Sequence, residues 1–178
     1  EIVMSIPGRW VDELGYKHAQ SFVDHHWSPD SDQCVYMLDH LVWSTNYYNL
    51  DVKVYVRDLF TRTDTLIPGK WDHCRWSPMG DKIVLSTGGT IWTVKPDGTG
   101  LVEVLNNRKN SCYYYYPFFS PDGQWLVYHG SSWSQKGLKP ITWRFWIGRI
   151  PAGGGTEVNL TSDMDVSLQK YPEGWFNE

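Results

Sequence analysis

The sequence predicts an all-β protein made of short antiparallel strands, and both its aromatic content and its turn residues lead to this prediction. Eleven Trp, 11 Tyr and 6 Phe occur among 178 residues, together with 16 Gly and 10 Pro. Aromatic residues favour strands, whereas Gly and Pro favour the tight turns that join them. Hydrophobic residues make up 41% of the chain and charged residues 20%, a composition that allows a buried core.

A repeated motif organises most of the chain. Ser-Pro pairs begin at Ser28, Ser77 and Ser120, which are 49 and 43 residues apart, and each pair follows an aromatic residue. Pro fixes the backbone at the second position of a turn, and the Gly or polar residues that follow complete the turn. A period of roughly 40 to 50 residues is typical of the four-stranded blades of a β-propeller.

Each repeat supplies the strands of one blade in order. The first strand ends at the aromatic residue, and the apolar run after the turn forms the second strand. The third strands are predicted at residues 52–57, 90–94 and 143–148, and the fourth strands at residues 65–67, 101–105 and 156–160. Alternation of apolar and polar residues favours strands at these positions.

The turn and the strand after it resemble the TolB-like, WD40-like propeller repeat, also called the PD40 repeat. Residues 118–128, Phe-Phe-Ser-Pro-Asp-Gly-Gln-Trp-Leu-Val-Tyr, match the repeat best, and residues 150–161 resemble the usual end of a blade. The first copy departs from the Asp-Gly pattern at residues 30–32, and the second departs at residues 79–80. The resemblance implies a β-propeller of four-stranded antiparallel blades, in a family that is frequently periplasmic or extracellular.

The chain is expected to hold about three and a half blades, which is a partial ring. Residues 1–21 are predicted to form the outer strand of a preceding blade and a connection, and residues 162–178 the start of a following blade or a tail. The three blades between them are predicted at residues 22–67, 68–110 and 111–161. Propellers close with four to eight blades. We therefore expect a protein partner, or further blades of the same polypeptide, to complete the ring.

Ionisable residues cluster on the predicted innermost strands, which face the central channel of a propeller. The channel candidates for ligand binding are Asp24, His25, His26, His73, Arg75 and Tyr116. If a metal binds, its candidate ligands are His26, His73 and Asp24, because imidazole and carboxylate groups suit transition metals. Adjacent residues of a strand point to opposite faces, so only one of His25 and His26 joins His73. Hydrogen bonding of these histidines to the backbone is the simpler interpretation, and no cofactor is expected.

Two segments between predicted strands, residues 43–49 and 131–142, are expected to be the longest loops. Long loops on a rigid scaffold often carry binding residues. The loop candidates are Trp43, Tyr47, Tyr48, Trp133 and Lys136.

The charge balance and the apolar runs exclude two classes of partner. Sixteen Lys+Arg against 20 Asp+Glu give a net charge of −4, which does not provide the basic surface of a nucleic-acid-binding protein. No apolar run approaches the roughly 18 residues of a membrane-spanning helix. We therefore expect no nucleic acid and no transmembrane segment.

The predicted function is a propeller scaffold for protein–protein or ligand binding, as a segment or subunit of a larger assembly. The alternative is part of a propeller enzyme. One such enzyme is a carbohydrate lyase or hydrolase that uses channel histidines, similar to the oligogalacturonate lyases. In the other, this segment is the non-catalytic propeller domain of a larger peptidase or redox enzyme. Residues 130–134 do not fit the G-x-S-x-G elbow of α/β-hydrolases. We therefore expect no catalysis from this segment alone.

Overall fold

The computed structural model of the protein describes residues 8–106, 112–135 and 142–162. These residues form thirteen strands in three antiparallel sheets, and no helix lies among them. The prediction of an all-β fold is therefore confirmed. No helix in these ranges has the length and apolar character needed to cross a membrane.

The first sheet has five strands rather than the four predicted for a blade. Its strands, in spatial order, are β1 (Arg9–Val11), β2 (Lys17–Trp27), β3 (Gln33–Ser44), β4 (Tyr47–Asp58) and β5 (Asp64–Ile67). The additional strand β1 pairs with β2 because the Asp12 side chain closes the turn between them. Asp12 Oδ1 accepts hydrogen bonds from the backbone N–H groups of Leu14 and Tyr16, at 3.0 and 2.9 Å.

This arrangement changes the interpretation of the residues before the first repeat. The strand β1 and the first half of β2 lie within residues 1–21, which we predicted to form a preceding blade and a connection, and both belong to the first sheet. Residues 1–7 and 163–178, where the flanking half-blades are predicted, lie outside the described residues. The division of the chain into the five predicted segments stays a prediction.

The second and third sheets have four strands each. The second comprises β6 (His73–Trp76), β7 (Ile83–Thr87), β8 (Thr90–Val94) and β9 (Val102–Leu105). The third comprises β10 (Cys112–Phe119), β11 (Trp125–Ser134), β12 (Thr142–Pro151) and β13 (Val158–Asn159). In both sheets, strands that are consecutive in the sequence are neighbours, so each sheet is a simple meander.

The loop prediction for residues 43–49 is wrong over most of its length, and that for residues 131–142 is wrong at residues 131–134 and 142, whereas residues 136–141 lie outside the described residues. Strands β3 and β4 pair from end to end, with Ser44 opposite Tyr47, so only two residues form the turn. A two-residue turn keeps both strands in register, and the apolar and aromatic residues beside it extend the sheet. In the third sheet, β11 continues to Ser134, which pairs with Thr142.

Two apolar cores hold the three sheets together, and β7 contributes to both. Successive side chains of a strand point to opposite faces. Ile83 and Leu85 therefore pack with Val35 and Val54 of the first sheet, whereas Val84 packs with residues of the third. Consequently the second sheet is covered on both faces. The first and third sheets are each covered by the second sheet on one face.

Candidate functional site

The first strands of the second and third sheets, β6 and β10, lie beside each other, and β2 of the first sheet lies on the other side of β6. Side chains of β2 reach the backbone of β6. Asp24 Oδ2 accepts a hydrogen bond from the Cys74 N–H at 3.4 Å, and His26 Nδ1 accepts one from the Trp76 N–H at 3.4 Å. These alternate residues of β2 therefore connect two sheets at their innermost strands.

The structure brings four of the six channel candidates together in one cluster, which we call the Asp24 cluster: Asp24, His73, Arg75 and Tyr116. Both carboxylate oxygens of Asp24 accept hydrogen bonds from Nη1 of Arg75. His73 Nδ1 lies 3.8 Å from Asp24 Oδ2, and the rings of His73 and Tyr116 have their centroids 4.2 Å apart. The cluster therefore spans all three sheets.

Tyr116 has a backbone conformation that side chains rarely adopt. Its φ is +53°, and it lies where the pairing of β10 with β11 shifts register between Tyr115 and Phe118. A left-handed conformation in a residue other than Gly costs roughly 1 kcal/mol or more, and such strain is concentrated at functional sites. The bulge turns the Tyr116 ring onto His73, where it remains 49% exposed.

The two histidines of this region are held neutral. Burial lowers the pKa of His26, and the nearby Arg75 guanidinium lowers it further. Burial also lowers the pKa of His73, although Asp24 acts in the opposite direction. Both rings are therefore hydrogen-bonding groups rather than cations near neutral pH.

The predicted metal-ligand set is not assembled. Among the described residues, no group of three His, Cys, Asp or Glu side chains is placed to hold a metal ion. Asp24 is already occupied by Arg75, and Nδ1 of His26 accepts a backbone hydrogen bond. The set of His26, His73 and Asp24 therefore stays a prediction, and in the structure each of these side chains contacts a neighbouring sheet.

His25, the remaining channel candidate, does not join the cluster through its ring. Its side chain is exposed, and only its backbone N–H contacts Asp24, at 3.0 Å from Oδ1. This follows from strand geometry, since His25 lies between Asp24 and His26 on β2.

A pocket lies where the three Ser-Pro turns meet, at the ends of the innermost strands. It encloses about 330 Å³ and is lined by His26, Trp27, Pro29, Arg75, Trp76, Ser77, Pro78, Phe118, Phe119, Ser120 and Pro121. We call it the Ser-Pro pocket. Equivalent positions of all three repeats contribute, so the pocket is a product of the repeat itself. Arg75 connects it to the Asp24 cluster, and its guanidinium lies 5.5 Å from the centre of the Phe118 ring.

The aromatic residues predicted to lie in loops are found on strands instead. Trp43 on β3 pairs with Tyr48 on β4, and Tyr47 packs edge-on against Tyr16 at 5.7 Å. Trp133 on β11 pairs with Trp143 on β12. The fifth candidate, Lys136, lies outside the described residues. Whether these side chains bind anything stays a prediction, but their positions are those of sheet residues.

Sequence reasoning missed a second polar cluster in the first sheet, formed by Trp10, Asp12, His18 and His40. His18 Nε2 lies 3.0 Å from Asp12 Oδ2, and His18 Nδ1 lies 3.0 Å from His40 Nε2. The Trp10 ring stacks on His18 with its centroid at 4.8 Å. His40 lies 22 residues after His18 in the sequence, so only the register of β1, β2 and β3 could have revealed the cluster.

Solved structures similar to this chain identify the arrangement of the three sheets. A protein from Agrobacterium tumefaciens assigned as TolB matches over 78% of this chain and 48% of its own, with a TM-score of 0.54 and 19% identity. An oligogalacturonate lyase in complex with manganese matches over 90% of this chain and 44% of its own, with a TM-score of 0.59 and 14% identity. The acylaminoacyl peptidase of Pyrococcus horikoshii matches over 79% and 25%, with a TM-score of 0.59 and 17% identity.

These similarities establish the fold. The three sheets have the fold of part of a β-propeller, as predicted, and this fold is similar to that of the TolB structure. No family model matches the sequence, and no curated protein matches it. The chain spans less than half the length of each of these three structures. With identities below 20%, the matches carry no information on activity.

Proposed function

We propose that this chain is a binding scaffold of the propeller type, whose outer sheet faces contact further blades of the same polypeptide or a protein partner. The observation that carries the proposal is an exposed aromatic face on the third sheet. Trp143, Phe145 and Ile147 alternate along β12 and are 48%, 52% and 40% exposed. Trp133 lies opposite Trp143 on β11 and extends the same face.

This face is the one turned away from the second sheet. Ile150 and Tyr128 of the same strands are buried against the second sheet, and their side chains point in the opposite direction. Contiguous exposed apolar surface is costly in water and marks a contact surface. The first sheet has its own uncovered residues, Phe22 and Leu66, at 39% and 47% exposure. A scaffold with two uncovered outer sheets is suited to assembly.

The chemistry of the Asp24 cluster supports binding over catalysis. Arg75 and Asp24 neutralise each other, and His73 packs against Tyr116. We propose no enzymatic activity for this segment. From the family resemblance we propose a periplasmic or extracellular location.

Site-specific photo-crosslinking in the native assembly tests the scaffold proposal. A photoreactive phenylalanine replaces Phe145 in the protein expressed in its source cells, and mass spectrometry identifies what it captures. We expect one defined polypeptide segment, because a covered face has a fixed neighbour. The intact mass of the purified native chain then shows whether that segment belongs to the same polypeptide or to a partner.

The matched control places the same group at Phe60, which is 94% exposed in the turn after β4. Capture at position 145 that is no greater than at position 60 would overturn the proposal, because it would show that the third sheet faces water in the cell.

A further inference from the structure

We propose that the Ser-Pro pocket is a binding site for a proline-rich peptide segment in the polyproline II conformation. This inference goes beyond the scaffold proposal, because the pocket is distinct from the outer sheet faces. It depends on three properties of the pocket: aromatic walls, polar side chains whose remaining hydrogen-bonding groups are donors, and a cation whose charge is already compensated.

The walls of the pocket are aromatic and partly open. Trp27 at the end of β2 is 48% exposed, and Phe118 near the end of β10 is 49% exposed. Trp76 and Phe119 line the same space, together with the three proline rings of the turns. Side chains of this kind contact flat or ring-shaped apolar groups.

The polar groups of the Ser-Pro turns are already used within the turns. Ser28 Oγ accepts from the Gln33 N–H at 2.9 Å and donates to Asp30. Ser77 Oγ donates to Asp81 at 3.0 Å and accepts from the Met79 N–H.

The third turn repeats this pattern. Ser120 Oγ accepts from the Trp125 N–H and donates to Asp122. The backbone carbonyls of the three serines also accept hydrogen bonds within their turns. The turns therefore determine the shape of the pocket, but their serine groups do not serve as hydrogen-bond acceptors for a ligand.

The remaining polar side chains of the pocket are donors. Nδ1 of His26 accepts the Trp76 N–H, so the neutral ring carries its proton on Nε2. Trp27 is 48% exposed, and its indole N–H is a hydrogen-bond donor only. Arg75 uses Nη1 for Asp24 and the Cys74 carbonyl, and its guanidinium has further N–H groups.

The charge of the pocket selects a neutral acceptor over an anion. Among the described lining residues there is one guanidinium and no carboxylate, so the pocket presents hydrogen-bond donors to a ligand. The ion pair of Arg75 with Asp24 compensates most of the positive charge. An amide carbonyl therefore suits the pocket better than a carboxylate or a phosphate.

A proline-rich segment has the chemistry that these properties require. Proline has no backbone N–H, so such a segment presents carbonyl acceptors without donors that would need partners. The polyproline II helix leaves these carbonyls free, and its rings dock into aromatic-lined grooves at little entropic cost. The pocket volume of about 330 Å³ is at the small end for ligand sites, which fits one or two rings.

Calorimetric titration of the full chain with a blocked decaproline peptide tests the inference. A blocked Gly-Ser peptide of equal length serves as the flexible control, and a blocked oligoglutamate as the anionic one. We expect saturable binding of decaproline and none of either control. Trp27→Ala should weaken binding by at least about tenfold, and Trp27→Phe, which keeps a ring but loses the N–H, by less.

Trp133→Ala is the matched protein control, since Trp133 is 39% exposed on the third sheet away from the pocket. The circular dichroism of each variant confirms that it is folded, and Phe118→Ala replaces Trp27→Ala if the latter unfolds. No saturable binding of decaproline, equal binding by the pocket variants and the parent, or tighter binding of oligoglutamate would each overturn the inference. None of these outcomes bears on the crosslinking at Phe145, so the two proposals fail separately.

Discussion

Asp24 of the first sheet accepts hydrogen bonds through both carboxylate oxygens from Nη1 of Arg75 in the second sheet. The two side chains are only 15% and 24% exposed, so each depends on the other for compensation of its charge. Removing one partner of a buried ion pair leaves an unpaired charge. Because both side chains keep some contact with water, we expect Arg75→Met to lower the free energy of unfolding by about 2 kcal/mol, less than the roughly 3 to 5 kcal/mol of a fully buried pair. Urea denaturation followed by tryptophan fluorescence measures the change.

A double-mutant cycle separates the contribution of the Asp24–Arg75 ion pair to stability from the other effects of each substitution. Arg75→Met also removes the contact with the Phe118 ring, whereas Asp24→Asn does not. If the pair is coupled, the double variant loses less stability than the two single variants together. Additive losses would show that the ion pair does not contribute to holding the first two sheets together.

The lowered pKa of His26 predicts an acid-sensitive fold. Burial and Arg75 disfavour the charged ring in the folded protein, whereas in the unfolded chain the ring titrates near about pH 6.5. Below that pH the unfolded state takes up the proton first, so the free energy of unfolding falls as the pH drops. We expect His26→Gln to reduce the slope of stability against pH between about pH 5 and 6.5.

Urea denaturation at a series of pH values measures that slope. His25→Gln is the matched control, one position earlier on β2, and it reports the effect of replacing an imidazole that points to the opposite face of the strand. His73 also has a pKa lowered by burial, so some slope should remain in the His26 variant. An unchanged slope in His26→Gln would contradict the assignment of the acid sensitivity to this residue.

Gly130 on β11 is required by the packing of the third sheet. A Cβ at this position would overlap the Trp146 indole, nearest to Cε2, an atom that its two rings share. Overpacking of this kind costs about 1 to 3 kcal/mol. We expect Gly130→Ala to lower the thermal midpoint, as measured by circular dichroism. Gly153→Ala is the control, because a Cβ there meets no atom within 4 Å, and equal effects of both substitutions would refute the packing argument.

The fold could be predicted because its signals are local. The aromatic–Ser-Pro turns at Ser28, Ser77 and Ser120 are repeated, and each fixes the end of one strand and the start of the next. The additional strand β1 could not be predicted in this way. Its pairing depends on the turn formed by Asp12, whose isolated sequence resembles many other loops.

The site was predicted in part, and the misses have a common cause. Asp24, His73 and Tyr116 each lie four residues before the serine of a Ser-Pro turn, so the repeat predicts that they occupy equivalent positions. The structure brings them together. The bulge at Tyr116, however, is visible only in the pairing of β10 with β11. The contact between His18 and His40, which are 22 residues apart in the sequence, could be predicted only from the register of the strands that carry them. Long-range register is set by tertiary packing, which a local pattern does not specify.

The three cysteines of the chain are Cys34, Cys74 and Cys112, and we expect the thiol of Cys74 to react most slowly. Burial raises the pKa of the Cys74 thiol, the nearby Asp24 carboxylate raises it further, and the side chain is fully buried between the first and second sheets. The thiolate is the reactive species, so alkylation of Cys74 requires the sheets to separate. At pH 8 we expect iodoacetamide to modify Cys74 at least about a hundredfold more slowly than Cys34, which is only partly buried. Peptide mass spectrometry measures both rates, and urea should make them similar; equal rates in the folded protein would mean that these two sheets open readily.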